Sequence, residues 1–290
     1  MSLTILDIGA RHGIKTIFPN FLDPSRYYGL SYLNKKNLSF IGVEPDEDGA
    51  IDLRAGGDYD KVISKALYSR KGKQTLYITR QPACSSLLKP DQQAIKENID
   101  IEWWKDLEVI NEIKVDTTTL GELCDQYSIN PDFIKIDTQG VEYEVVEGGM
   151  EYIKNTVAVL AELCEKPWYE GQKDAASFIF LMKNLGFEVV AKNFKPHVPT
   201  ERDYLFVKEY QKIENEKDLG KAIFIYYLFG KEKEAMTVIN KYCKKESLSL
   251  RQSWALKARY TVNVLRWNFL YVFLYKSINK FKAKSKWLSI

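Results

Sequence analysis

The sequence predicts an α/β fold, an open and doubly wound sheet with mostly parallel strands, followed by a small all-α appendage. Three observations carry this reading. Over the first 210 residues, strand-length apolar runs without alternation recur at helix-length spacing, as expected of strands buried on both faces of a parallel sheet. A glycine turn follows the first of these runs, and an acidic residue ends the second. Beyond residue 210 the pattern becomes helical and the charge reverses. Residues 211–290 hold 17 Lys and Arg against 6 Asp and Glu, a net of +11, whereas residues 1–210 carry −8. The 290 residues therefore divide into a unit over 1–210 and a basic helical unit over 211–290.

The elements follow in order. Leu3 to Ile8 is the first strand, ended by Gly9, and Ser39 to Val43 is the second, ended by Glu44-Pro45. Lys61 to Leu67 reads as a third strand. Gln74 to Thr79 and Glu108 to Val115 read as added strands flanking a polar insertion that carries Trp103 and Trp104. Asp132 to Ile136 is the fourth main strand, ended by Asp137, and Thr156 to Leu163 the fifth, with Glu162 near its end. A helix over about Asp174 to Leu185 leads to Phe187 to Ala191 and Tyr204 to Lys208, a final antiparallel pair. Lys217 to Phe229, Lys231 to Lys245 and Leu250 to about Lys280 read as three helices, separated by Gly230 and by Glu246-Ser247. Right-handed βα units would place a ligand at the carboxyl edge of the sheet.

Composition narrows the function. Hydrophobic residues at 45% and charged residues at 28% describe a folded chain and exclude a disordered one. Cys84, Cys124, Cys164 and Cys243 have no close pairs, which excludes a zinc finger or a disulfide framework and points to a reducing, cytoplasmic setting. His12 and His197 are the only histidines, so no metal site is expected. The opening residues show no basic stretch followed by an apolar one, so no signal peptide is expected.

Two turns carry the first chemistry. In Leu6-Asp7-Ile8-Gly9-Ala10-Arg11-His12-Gly13, glycine lets the backbone approach a ligand, and Asp7 sits where it can accept from an amine or orient the loop. About thirty residues on, Glu44 stands at the tip of the second strand, next to Pro45, placed to grip a ribose. Nicotinamide-binding and methionine-derived cofactor sites share that pair. The full G-x-G-x-x-G is absent, since three residues, Arg11 among them, separate Gly9 from Gly13. The most specific segment is Asp132-Phe133-Ile134-Lys135-Ile136-Asp137-Thr138-Gln139-Gly140-Val141-Glu142, continuing to Gly148-Gly149. Strand periodicity turns Lys135 and Asp137 to one face, and Gly140 opens the turn into a helix.

At this block the chain resembles the FkbM family of S-adenosylmethionine-dependent methyltransferases, whose hallmark is K-I-D-x-E-G-x-E. The resemblance spans about residues 4 to 208. It takes in Asp7-Ile8-Gly9-Ala10, Glu44-Pro45, Ala66-Leu67-Tyr68-Ser69, Cys84-Ser85-Ser86-Leu87, Asp116-Thr117-Thr118-Thr119-Leu120 and Leu160-Ala161-Glu162. It implies a Rossmann-like class I methyltransferase with S-adenosylmethionine as cofactor. Asp7, Gly9 and Ala10 would contact the methionyl part, within the loop that also holds Arg11 and Gly13. Glu44, beside Pro45, would hold the ribose, Lys65, Ala66 and Leu67 would flank the adenine, and Asp137 would lie near the transferred methyl. Family acceptors are hydroxyls, often on sugars, which implies O-methylation of a glycan, glycolipid or polysaccharide. Two residues depart from the family pattern: Arg11 stands where Asn is frequent, and Gln139 where Glu is more frequent.

A sugar hydroxyl is a weak nucleophile, so a carboxylate that takes its proton would help by roughly 10²–10⁴-fold. Asp137 is the first candidate for that base, Glu162 the second and His197 the third; the bland alternatives are a cofactor-binding Asp137 and a surface His197. Trp103-Trp104, Tyr169 and Ser85-Ser86 are candidates for the acceptor mouth, or for core anchors. Two other function classes compete: a nicotinamide-dependent oxidoreductase, and a non-catalytic nucleotide-binding scaffold with a basic tail. No nucleic-acid motif supports the tail as a nucleic-acid binder. The segment Trp254 to Lys276 mixes aromatics with cations, and its longest uncharged run, Trp267 to Tyr275, is nine residues. A spanning helix needs about twenty. The segment could lie on an anionic membrane surface at the inner face, with Lys280, Lys282, Lys284 and Lys286 reaching lipid. It could equally pack on the preceding helices or on a second subunit.

Overall fold

The computed structural model describes residues 2–11, 13, 38–98, 105–193 and 200–257. His12, His197, Trp103, Trp104 and the tail from residue 258 lie outside the described residues. Among the described residues the chain divides into two compact units between Lys212 and Ile213.

The larger unit is built on a seven-stranded sheet. Strands β1 (Leu3–Ile8), β2 (Leu38–Val43) and β3 (Lys61–Ile63) are parallel, as are β7 (Phe133–Ile136) and β8 (Ala158–Cys164). The two sets join where β1 pairs parallel with β7. Strands β9 (Phe187–Lys192) and β10 (Glu201–Lys208) close one edge antiparallel, giving the order β3-β2-β1-β7-β8-β10-β9. The chain adds strands in opposite directions outward from β1 and from β7, and such a switch point opens a crevice at the carboxyl ends. Leu6, Ile8, Ile134, Ile136, Val159 and Ala161 are buried at its centre with essentially no exposed surface. That explains the continuous apolar runs, since neither face of these strands meets water. Helix α6 (Ala175–Asn184) covers one face, capped by the Asp174 side chain at the Ser177 amide, and its Phe178 ring meets Phe206 of β10 at 5.5 Å.

The third strand of the sequence reading is two strands. Lys61–Ile63 pairs with β2, but Ala66–Leu67 (β4) leaves the sheet and pairs with Val109–Thr118 (β6). Between them Lys65 is exposed, so the apolar run is broken where the chain changes sheets. Gly72–Thr79 (β5) pairs antiparallel with β6, completing a separate three-stranded sheet in the order β4-β6-β5. The expected added strands are therefore present, as a second sheet rather than an extension of the first.

The smaller unit, described from Ile213, contains α7 (Glu216–Leu228) and α8 (Glu232–Lys245), packed on each other. Asn215 caps α7 by accepting from the Asp218 amide, and Gly230, at φ 68°, turns the chain so that Lys231 N–H reaches Tyr226 C=O at 2.7 Å. Leu219, Ile223, Tyr226, Ala235, Ile239 and Tyr242 are buried here. No helix among the described residues is long and apolar enough to cross a membrane.

Candidate active site

A cavity of about 500 Å³ opens at the carboxyl ends of β1, β2, β7 and β8. Gly9, Arg11, Glu44, Pro45, Asp137 and Glu162 line it from the seven-stranded sheet, together with Lys65 beyond β3. Ala66, Leu67, Leu76, Ile78 and the Cys84-Ser85-Ser86 loop line it from the small sheet. Most of the residues predicted from the sequence thus converge on one space.

Gly9 is required by geometry. Its φ is 78°, and a Cβ built there would lie 1.7 Å from the Asp137 carbonyl oxygen. That close approach fastens the loop after β1 to the end of β7, where Asp137 N–H also bonds Ile8 C=O at 3.0 Å. The amides of Gly9 and Ala10 both donate to Val43 C=O, at 3.0 and 3.1 Å, which ties the same loop to β2.

Asp7 and Ala10 lie behind the cavity wall, fully buried, and neither they nor Gly13 line the cavity. Asp7 accepts from the Tyr59 hydroxyl and stands 3.6 Å from Lys135 Nζ. Lys135, also buried, donates to Asp137 Oδ2 at 3.0 Å, so one cation links the ends of β1 and β7. Burial pushes the Asp7 pKa up, opposed by Lys135 and the Tyr59 hydroxyl. Burial alone would lower the Lys135 pKa; the charges of Asp137 and Asp7 override it and raise the ammonium above its usual range.

Glu44 is only 4% exposed. Its Oε1 accepts from Asp46 N–H at 3.0 Å. Desolvation pushes its pKa up to about 7, against that amide and the nearby Arg11 charge. Arg11 pairs with Asp46, which also caps α1 (Glu47–Gly56) by accepting from Gly49 N–H. The departure at Arg11 therefore ties the glycine loop to the cap of α1.

At the end of β7 the turn is held from all sides. Gln139 adopts φ 56°, and its Nε2 donates to Asp137 Oδ1 at 2.8 Å and to Glu162 Oε2 at 3.0 Å. Its Oε1 lies 3.2 Å from the Tyr169 hydroxyl, which also reaches Cys84 C=O at 3.0 Å. Its carbonyl accepts from Ser86 Oγ at 2.6 Å. Glu142 folds back to accept from the amides of Thr138 and Gly140, and burial pushes its pKa up to about 7. Gly140, at φ 109°, makes room for the Tyr169 ring, 3.0 Å from where a Cβ would sit.

Sequence reasoning singled out Gln139 only as a departure from the family pattern and did not foresee that it joins the two candidate bases. Tyr169, a candidate for the acceptor mouth, is instead buried as a support for Gln139. Trp168 lines the cavity, its indole donating to Thr200 Oγ1 at 3.0 Å. Cys124, Cys164 and Cys243 are buried, whereas Cys84 stands in the cavity wall, where burial pushes its thiol up to about 12 and keeps it protonated.

Comparison with known proteins places this geometry. The 2-O-methyltransferase NoeI of Sinorhizobium fredii (strain NBRC 101917 / NGR234) is 32% identical over 81 residues, 28% of this chain and 32% of NoeI. The chain thus matches about a third of that relative's length. Among solved structures, magnesium protoporphyrin IX methyltransferase (ChlM) from Synechocystis PCC 6803 is 10% identical with a TM-score of 0.34, covering 72% of this chain and 71% of that one. Sp1610 of Streptococcus pneumoniae, a putative tRNA (m1A22) methyltransferase, is 11% identical with a TM-score of 0.36, covering 91% and 93%. The family model for the methyltransferase FkbM domain matches residues 7–189, well over half of the chain. With that domain, a Rossmann-like sheet and a cavity at its switch point, the chain belongs to the FkbM methyltransferase family.

Proposed function

We propose that the chain transfers the methyl group of S-adenosylmethionine to a hydroxyl of a sugar in a glycan, glycolipid or polysaccharide. The observation that carries this reading is the pair of carboxylates, Asp137 and Glu162, gathered by one amide in the wall of the same cavity as Glu44. The name of NoeI, a 2-O-methyltransferase, agrees with a hydroxyl acceptor.

The residues present fit the cofactor. Glu44 offers a buried carboxylate in the cavity wall, suited to accept from ribose hydroxyls. Ala66 and Leu67 offer an apolar wall for a base, and a cavity of about 500 Å³ suits a nucleoside-sized ligand. When bound, S-adenosylmethionine supplies a methyl group made electrophilic by its sulfonium. The protein's share is placement and proton transfer. Asp137 and Glu162 both face the acceptor, and one of them accepts the hydroxyl's hydrogen bond and takes its proton as the oxygen–carbon bond forms and the carbon–sulfur bond breaks. Lys135 keeps Asp137 in place while that happens, at 3.0 Å.

The test is incubation with labelled S-adenosylmethionine and a panel of neutral, amino and acidic sugars, with the methylated position read by mass spectrometry. Asp137→Asn should lower turnover by roughly 10²–10⁴-fold and leave cofactor affinity nearly unchanged. Wild-type turnover in that variant, or methylation of nitrogen alone, overturns the reading.

A further inference from the structure

We propose that Gln139 is a positioning residue, which divides its two amide protons between Asp137 and Glu162 so that both carboxylates stay ionised and converge on the acceptor. The inference rests on the reading of those carboxylates as the proton-accepting pair.

A primary amide has two N–H donors and one carbonyl acceptor. At Gln139 both donors are spent on carboxylates, at 2.8 and 3.0 Å, and the carbonyl faces the Tyr169 hydroxyl at 3.2 Å. This pattern sets which way round the amide lies, because the reverse orientation would aim its oxygen at two carboxylates. The residue has little freedom to do otherwise. Its backbone sits at φ 56°, and Ser86 Oγ donates to its main-chain carbonyl at 2.6 Å. Tyr169, fully committed to Gln139 and Cys84, packs on Gly140.

Two carboxylates drawn to one point repel each other, and without a donor between them they would separate or share a proton. A neutral bridge with two donors resolves this without adding charge. A carboxylate at position 139 would instead bring three acidic groups together, which must either take up a proton or bind a cation. No group of three or more His, Cys, Asp or Glu among the described residues could hold a metal. Substitution by Glu would come close to building one.

The experiment compares wild type, Q139E and Q139M, together with D137N and E162Q, under saturating S-adenosylmethionine and an acceptor that the wild type methylates. Melting temperature and cofactor affinity confirm folding in each variant. Q139E should lower kcat by about tenfold or more. It should also move the acid limb of the kcat profile upward by about 1–3 pH units, as a shared proton would. Q139M, which removes both donors and adds no charge, should also lower kcat, with cofactor affinity kept within about twofold. A purely structural role would not move the acid limb. If Q139E keeps the wild-type kcat and pH profile while D137N or E162Q loses turnover, Gln139 has no positioning role and the carboxylate reading stands. If both D137N and E162Q turn over normally, the carboxylate reading falls and the inference falls with it.

Discussion

Cofactor affinity should depend on pH through Glu44. The carboxylate is 4% exposed, and burial pushes its pKa up to about 7. Ribose hydroxyls donate, so only the ionised form of Glu44 can accept from them with full strength. At pH 6 about a tenth of the free protein carries that form, and at pH 8 nearly all of it does. The dissociation constant for S-adenosylmethionine should therefore weaken by about tenfold from pH 8 to pH 6, or about 1.4 kcal/mol. Glu44→Gln keeps the shape and removes the charge. It should cost about 1.5–3 kcal/mol at pH 8, the worth of hydrogen bonds to a charged group, and show a flat profile through pH 7. Calorimetric titration at pH 6, 7 and 8 measures both. Glu142 also has its pKa raised to about 7 but faces the turn amides, so the variant separates the two groups. A pH dependence that survives in Glu44→Gln refutes the reasoning. The free protein should show the opposite trend. The folded state holds the Glu44 and Glu142 protons more tightly than the unfolded chain, so each carboxyl costs stability as the pH rises from 4.5 to about 7. Ligand-free protein should melt at lower temperature at pH 8 than at pH 6, and Glu44→Gln should narrow that gap.

Other perturbations follow from the same geometry. Gly9→Ala places a methyl 1.7 Å from the Asp137 carbonyl at a left-handed φ, and should cost at least about 2 kcal/mol in denaturant unfolding; wild-type stability would show that the loop can move aside. Lys135→Met strands Asp7 and Asp137 without their shared cation and should cost about 3–5 kcal/mol, a loss that falls as the pH is lowered enough to protonate them. The basic segment from residue 250 onward is proposed to bind an anionic membrane surface. Full-length protein should float with anionic liposomes at low salt, and a chain truncated after residue 248 should not; failure of the full-length protein to float refutes that role.

The main strands were legible because their burial is two-sided. Leu3 to Ile8 is buried on both faces except at the half-buried Thr4, and the nearly continuous apolar run records this directly. The pairing of Lys135 with Asp137 was legible from strand periodicity, and the 3.0 Å contact agrees. The change of sheet at Lys65 was not, since a two-residue strand such as Ala66–Leu67 has no periodicity of its own. Asp7 was legible as a strand-end acid but not as a buried one, because its partners are a tyrosine 52 residues away and a lysine on another strand. The contacts of Gln139, itself visible only as a departure from the family pattern, were hidden for the same reason. Glu162, Tyr169 and Ser86 reach it from three separate segments, and no local pattern records such a meeting.

The change of sheet after Ile63 has a consequence for how the cavity could change shape. Glu44, Asp137 and Glu162 are fixed to the seven-stranded sheet, while Leu76, Ile78 and the Cys84-Ser85-Ser86 loop belong to the small sheet. The cavity is thus a joint between two separately hydrogen-bonded frameworks. Substitutions at Leu76 and Ile78 of β5 can recut one wall without touching the register that holds the charged groups on the other, whereas Ser86 is tied to those groups through Gln139. One wall can then vary in shape, through two side chains of β5, while the charged wall keeps its geometry.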